Sequence, residues 1–498
     1  MLARHNTKRE NQISRVDLDR ILRGHSTLRR HRYTQDGARR AKQLDFLWQE
    51  RHLQKRRQLG KKNSGTAPVI TVEPLLPVPI PHSGARLARG IRAGRWVFAT
   101  GQAATDYVNG VAPAALRAEH PLNGESQYKR EARLIYQNVK DVLAEVGSDV
   151  TDAVRVDQYY TTERAMHPYH EVRHEVFGPK IPPSTSNLHK RFSRSEQTIE
   201  IQVMAAVKGG GLSVNHESFR PSYDISPVSG YSPALSAGDF RFVPGQTGEA
   251  LKDGEGPLDP QVRHPRSPWR QWPIKLETDF IVTQKLKPCL EGAGAGLESV
   301  VKAQVYLSDR EDVPGFNETW LSFFRGHPPA TTIIPTASPG FGINALRIEI
   351  NTISLALAGD TRREVISGPE APAFDGYVSA IKCGDLLFLS GLYALKNGRL
   401  IDEAKVDERQ PFYGIPIKAE LRAIIAQAEA ICRSAGTTLR NAVRIQQFHT
   451  NLADLPATLE VWNEAMDQAP LPLSPIESAW LPVPGARVQV DLWVYVPQ

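Results

Sequence analysis

The densest array of reactive groups in the chain is cationic. Residues 1–63 carry 18 lysines and arginines against six acidic residues. They include Arg4, Arg9, Arg15, Arg20, Arg23, the cluster Arg29-Arg30-His31-Arg32, Arg39-Arg40 and Lys55-Arg56-Arg57. Such a stretch can neutralise phosphate backbones or anionic lipid, or it can dock on the acidic body of its own or a partner protomer. The last is preferred: the whole chain has a formal charge of +7, and +12 of charge sits in this stretch, leaving the other 435 residues at about −5. Further homo-oligomerisation through the arm is the partner expected; nucleic acid is disfavoured but left open. Three cysteines are the other reactive group, and they form no Cys-x-x-Cys pair. They cannot build a disulfide framework, and Cys289 and Cys432, each near the end of a long helical pattern, read as core residues and not as nucleophiles.

The third feature is a strand that ends in glycine and is written three times: Trp96–Gln102, Phe240–Gln246 and Leu386–Leu392. The glycines, Gly101, Gly245 and Gly391, are 144 and 146 residues apart, a domain-sized period. Each closes a short apolar run where the backbone must turn sharply or meet something closely. The elements around them recur. Helical patterns cover Tyr128–Val146, Leu276–Leu290 and Lys418–Ala435, with Gly147 and Gly436 as stops and Pro288 expected to kink the second. Strands follow at Ala153–Tyr160, Val300–Leu307 and Ala442–His449, then short helices at Tyr169–Phe177, Phe316–Phe324 and Ala457–Met466. Closing strands lie at Ile199–Val203, Leu346–Ile350 and Val488–Val494. The expected organisation is a basic arm (1–65), a proline-rich linker (66–81) and three repeats (82–212, 213–362, 363–498). An insertion from Gly248 to Pro273, rich in proline and tryptophan, is too long for a plain connection and reads as a lid or interface loop.

At 498 residues, 41% hydrophobic and 23% charged, the chain is of ordinary globular composition and long enough for about three cores. It has no run of eighteen apolar residues and no apolar leader region, so neither a membrane span nor a secretory signal is expected, and a reducing cytoplasm is the default location.

The pattern resembles the Rid (YjgF) family of enamine/imine deaminases. Repeat two carries the likeness most fully, in Val301–Asp309, Asn317–Phe324, Pro328–Thr331 and Ile348–Ile350. The resemblance implies an α+β fold of three chorismate-mutase-like βαβαβ units, forming a pseudo-trimer with a central β-barrel, outer helices and a cleft at each junction. It implies hydrolysis of a small imine with no metal and no organic cofactor. By the same resemblance, the glutamate that activates water corresponds to Glu200 and Glu349, with Gln489 in the third repeat. The pocket tyrosine corresponds to Tyr231 and Tyr377, with Leu87 in the first. The pocket asparagine corresponds to Asn317, with His170 and Leu459 elsewhere, and Gly101, Gly245 and Gly391 bound the pockets. Where the family has an arginine that clamps the substrate carboxylate, this chain has Thr185, Thr331 and Ser474. Arg347 and Arg487 share a strand face with Glu349 and Gln489, so an arginine such as Arg347 is a candidate replacement from another wall, the alternative being a surface ion pair.

The function expected is therefore a cofactor-free hydrolase or deaminase acting on a small-molecule C–N bond, with Glu349, Glu200, Tyr231 and Asn317 as the catalytic set. The alternatives are a Rid-fold binding or assembly protein whose site has decayed and, ranked lower, a ring-opening hydrolase.

Overall fold

The computed structural model describes residues 72–498 apart from 108–109, 117–123, 195, 217–229, 250–257, 264–271, 338–339, 344, 406–408 and 410–414. The expected basic arm and most of the insertion after Gly248 lie outside the described residues, all of which belong to one compact unit, Val69–Gln498.

The first repeat consists of β1 (Glu73–Pro79), β2 (Arg86–Ala93), β3 (Trp96–Ala103), α1 (Gln127–Ala144), β4 (Ala153–Tyr160), α2 (Met166–Phe177), β5 (Ser184–Leu188), the short β6 (Arg191–Phe192) and β7 (Ile199–Ala206). Its sheet runs β1-β2-β3-β7-β4-β5. The one parallel pair is β4–β5, because α2 provides the crossover that a parallel return requires. The second repeat copies this with β8 (Val214–His216), β9 (Leu235–Ala237), β10 (Phe240–Thr247), α3 (Trp272–Phe280), α4 (Lys287–Gly292), β11 (Val300–Leu307), α5 (Val313–Phe323), β12 (Ala330–Pro335) and β13 (Ile348–Leu355). The third has β14 (Arg363–Ile366), β15 (Ala380–Cys383), β16 (Leu386–Leu389), a ribbon of β17 (Leu395–Lys396) and β18 (Arg399–Leu400), α6 (Pro416–Ser434), β19 (Ala442–His449), α7 (Leu455–Ala465), β20 (Leu473–Glu477) and β21 (Val488–Tyr495). β6 of the first repeat crosses over to pair with β20, joining the third sheet at its edge.

Three expectations need correction. Each unit is richer than βαβαβ, since β1, β8 and β14 add an edge and β5, β12 and β20 follow Pro182-Pro183, Pro328-Pro329 and Pro470-Leu471-Pro472. The proline-rich stretch is no linker: β1 pairs with β2 from Glu73↔Arg92 to Pro79↔Arg86. Prolines lack the donor that a central strand needs but are tolerated on an edge. Finally, the strands form three separate large sheets besides the β17–β18 ribbon, and no closed barrel is found among the described residues. Pro288, expected to kink or shorten its helix, does not end it: the helical segments run without a gap from Trp272 to Gly292. It enters at the start of α4, and the helix ahead of it loosens into a π turn over Ile281–Leu286, where the Lys287 N–H reaches back to Val282.

Each sheet is apolar on both faces. One face packs under its own helices, as Val97, Ile135, Val139 and Tyr169 do in the first repeat. The opposite faces meet in a core shared by all three repeats, built from Trp96, Phe98, Phe240, Phe242, Phe388 and Trp493. Beside it lies a buried polar network. Lys302 donates to Asp491 at 2.6 Å; Arg155 donates to Asp157 and Asn351; Arg444 donates to Asp157 and Asp491. Every repeat contributes, so the repeats cannot act as independent beads: removing one would strand buried charges in the others.

One device repeats three times and sets up the functional residues. A buried glutamate on each long helix accepts the backbone N–H groups at the start of the closing strand. Glu131 takes Thr198 at 3.1 Å, Glu277 takes Arg347 at 3.2 Å, and Glu420 takes Arg487 at 2.9 Å and Val488 at 3.1 Å. Burial raises all three carboxyls, Glu277 to about 8 and Glu420 to about 7. The strand starts held in this way are followed two residues later by Glu200, Glu349 and Gln489.

Candidate functional site

The repeats meet at three junctions, and the side chains at each are different. At the junction of repeats one and two, Tyr231 bridges to Ile181 and β10 passes β5. Glu349, at the start of β13, is buried. Its carboxyl lies directly over Gly245: a Cβ there would fall 1.7 Å from Glu349 Oε1, which explains the second strand-end glycine. The ladder shifts register at this point, between Val243 and Gln246. Burial raises the Glu349 carboxyl well above the usual carboxylate range; Asp157 and Glu249 add to the push, while the Ser186 N–H and Arg155 oppose it. Burial thus favours the protonated, neutral form of Glu349, and its Oε2 has no hydrogen-bond partner. His170 stands on the facing side with Nε2 3.4 Å from Ser186 Oγ, and burial keeps its imidazole neutral. Thr185 Oγ1 accepts from Asn351 at 2.8 Å.

At the junction of repeats three and one, Leu87 bridges to Leu471. Glu200 is engaged on both oxygens, by the Ser474 hydroxyl and by Gln197 Nε2 at 3.2 Å. Burial pushes its pKa up to about 7, against the pull of these two bonds. Gly101 has φ +60°, and a Cβ on it would sit 3.1 Å from the Leu473 carbonyl.

At the junction of repeats two and three, the Tyr377 hydroxyl donates to Asn317 Oδ1 at 2.6 Å. The Thr331 N–H donates to Ser390 Oγ at 3.0 Å, and Gln489 Nε2 donates to the Ile333 carbonyl at 2.9 Å. Gly391 leaves room for Gln489, whose Nε2 a Cβ would approach to 2.6 Å.

The structure therefore brings Glu349 together with Tyr231 and Thr185, with His170 beside Ser186, but places Asn317 in a different cleft with Tyr377 and Thr331, and Glu200 in a third with Ser474. Arg347 does not turn toward its neighbour Glu349; its guanidinium meets Asp312 at 2.6 Å, so the surface ion pair is the arrangement found. Arg487 does the same with Asp454. Sequence reasoning missed Tyr393, Gln197 and the Ser186 N–H, none of which carries a motif. Among the described residues, no group of three His, Cys, Asp or Glu side chains is placed to hold a metal ion.

A protein-family model for endoribonuclease L-PSP matches the chain three times, over residues 80–207, 277–356 and 368–496. The chain belongs to the endoribonuclease L-PSP family. Its three L-PSP repeats agree with the curated relatives. A RutC family protein of Pyrococcus abyssi is 33% identical over 108 residues, 22% of this chain and 74% of that protein. A 2-iminobutanoate/2-iminopropanoate deaminase of Dermatophagoides farinae is 27% identical over 127 residues, 26% of this chain and 86% of that protein. Among solved structures, yeast Mmf1 is 21% identical, with a TM-score of 0.23, covering 29% of this chain and 98% of its own. A chorismatase is 13% identical, with a TM-score of 0.40, covering 69% and 93%. No helix among the described residues is long and apolar enough to cross a membrane.

Proposed function

We propose that the chain is a cofactor-free, Rid-type hydrolase of a small uncharged imine, working in the cleft between repeats one and two, with the three repeats arranged as a covalent pseudo-trimer. One observation carries the reading: of the two buried strand glutamates, only Glu349 keeps an unengaged carboxyl oxygen, and burial favours its protonated form. A protonated acid in an apolar cleft is suited to donate to an imine nitrogen. In the proposed sequence Glu349 gives its proton to the C=N nitrogen. The carboxylate that forms accepts a proton from water as its oxygen adds to the carbon, and that proton passes to the amine nitrogen. The C–N bond then breaks as the Glu349 carboxylate takes the remaining hydroxyl proton, leaving a carbonyl, ammonia and Glu349 again protonated. Tyr231 closes one side of the cleft, and the Ser186 N–H supports the carboxylate stage.

An uncharged substrate follows from the side chains at the clamp positions. Thr185, Thr331 and Ser474 are hydroxyls, and each is engaged within the protein. A buried substrate carboxylate would have no two-pronged cation to meet there.

The test is ammonia release from imines generated in situ, by an amine oxidase for uncharged ones and by an amino-acid oxidase for carboxylate-bearing ones. Faster release from the uncharged set is expected, and Glu349→Gln should lower it by about 100- to 10,000-fold with the melting temperature held. Turnover of the carboxylate-bearing set alone would overturn the substrate assignment. Release that is equal with and without the protein would favour the decayed, binding-only reading.

A further inference from the structure

The cleft between repeats two and three has become a site of another kind. Its inner end is a small, partly open hollow walled by Thr331, Ile333, Pro372, Phe374, Tyr377 and Gln489. It adjoins an outer one, the two sharing Pro372, Ala373, Ser390, Gly391 and Tyr393. No charged side chain lines the inner cavity. In the outer one the single carboxylate is Glu370, which accepts the Asn397 N–H at 3.0 Å.

The polar atoms of the inner cavity can be accounted for one by one. The Tyr377 hydroxyl donates to Asn317. Ser390 donates to the Val378 carbonyl at 2.6 Å and accepts from Thr331. The Thr331 hydroxyl donates to Pro329 at 3.1 Å. Gln489 is oriented unambiguously, because only its amide nitrogen can donate to the Ile333 carbonyl. That leaves Gln489 Oε1, an acceptor, and the Tyr393 hydroxyl, a donor, both buried and without partners. Buried polar atoms are ordinarily satisfied, and exceptions call for an absent partner.

We propose that this cleft binds an uncharged cyclic amide of the lactam or ureide class, presenting its N–H to Gln489 Oε1 and its carbonyl to the Tyr393 hydroxyl. A ring amide carries both groups on one edge and is compact enough for apolar walls such as Pro372 and Phe374. A carboxylate is excluded by chemistry, since the cavity offers it no cation and Glu370 lies at its outer side. The cleft has no acid or base in Glu349's place, so it binds its ligand without converting it. This site is independent of the imine chemistry proposed for Glu349.

Ligand-observed NMR titration of the full chain tests it, with 2-pyrrolidinone and hydantoin as probes, pyroglutamate as the same ring bearing a carboxylate, and N-methyl-2-pyrrolidinone as the ring without its N–H. The first two should bind, and the last two at least about tenfold more weakly. Tyr393→Phe removes an unsatisfied hydroxyl, so the melting temperature should hold while affinity for 2-pyrrolidinone falls about tenfold; Gln489→Met should do the same to affinity. Glu349→Gln should leave binding unchanged. Absence of binding by both uncharged probes would overturn the proposal. So would binding that survives both Tyr393→Phe and Gln489→Met, or binding lost in Glu349→Gln alone.

Discussion

Glu200 allows a prediction that needs no substrate. Its carboxyl is buried against Ser474 of the third repeat and Gln197 of its own, and its pKa rises from 4.5 to about 7. Below pH 4.5 the folded and unfolded chains both hold the proton. Between 4.5 and 7 the unfolded chain releases it while the folded chain keeps it, so the native state binds more protons and stability falls as pH rises; above 7 the loss is complete. At roughly 1.4 kcal/mol per pKa unit, the loss amounts to about 3 kcal/mol. Glu200→Gln keeps the shape of the side chain and abolishes the titration. Urea unfolding of both proteins across pH 4.5 to 8 should therefore show the wild type losing about 3 kcal/mol more than the variant over that window. The other raised carboxyls, Glu277 and Glu420, are common to both proteins and cancel. Parallel curves would refute the argument, meaning that the Ser474 and Gln197 bonds hold Glu200 ionised in the folded state.

Two further perturbations test the geometry of the fold. Gly245→Ala puts a methyl group 1.7 Å from Glu349 Oε1, so it should displace the carboxyl and lower imine turnover about as far as Glu349→Gln does; unchanged turnover would separate Glu349 from the chemistry. A chain beginning at His82 lacks β1 and uncovers Leu75's packing site, so it should melt below a chain beginning at Val72, and equal melting temperatures would show that β1 adds nothing to the sheet.

How far the sequence could be read depended on the period of the signal. Strands buried on both faces, such as Ala153–Tyr160, Val300–Leu307 and Ala442–His449, repeat their apolar and β-branched positions in register around a few polar residues, and their bounds in the structure agree with those expected. The strand β1 was hidden because edge position, which makes its prolines harmless, is a tertiary property. β5, β12 and β20 were hidden because they are short and follow closely spaced prolines that read as turns. The site was legible by residue type and not by company. Glu349, Tyr231 and Asn317 lie in one repeat, yet each junction takes one wall from each of two repeats, so Asn317 faces Tyr377 while Glu349 faces Thr185. The direction of Arg347 was equally out of reach, since strand alternation sets the face of a side chain and not its partner, and Asp312 lies 35 positions away.

Three repeats in one chain also explain how the clefts could come to differ. In an assembly of identical subunits, a change at the glutamate position alters every cleft at once, and a glutamine there would remove the acid from all of them. Here the same position is a carboxyl with one open oxygen at Glu349, a carboxyl bonded on both oxygens at Glu200 and an amide at Gln489. The surrounding residues have followed each choice. Ser474 supplies a hydroxyl that Glu200 occupies, Ile333 a carbonyl that Gln489 occupies, and Thr185 turns to Asn351, leaving Glu349 Oε2 open. The shared core tolerates this because the glutamates of the long helices hold all three strand starts alike, whatever side chain follows two residues later. Positioning is thus common to the three repeats and chemistry is private to each, which is the condition under which one cleft can lose its acid without the others losing theirs.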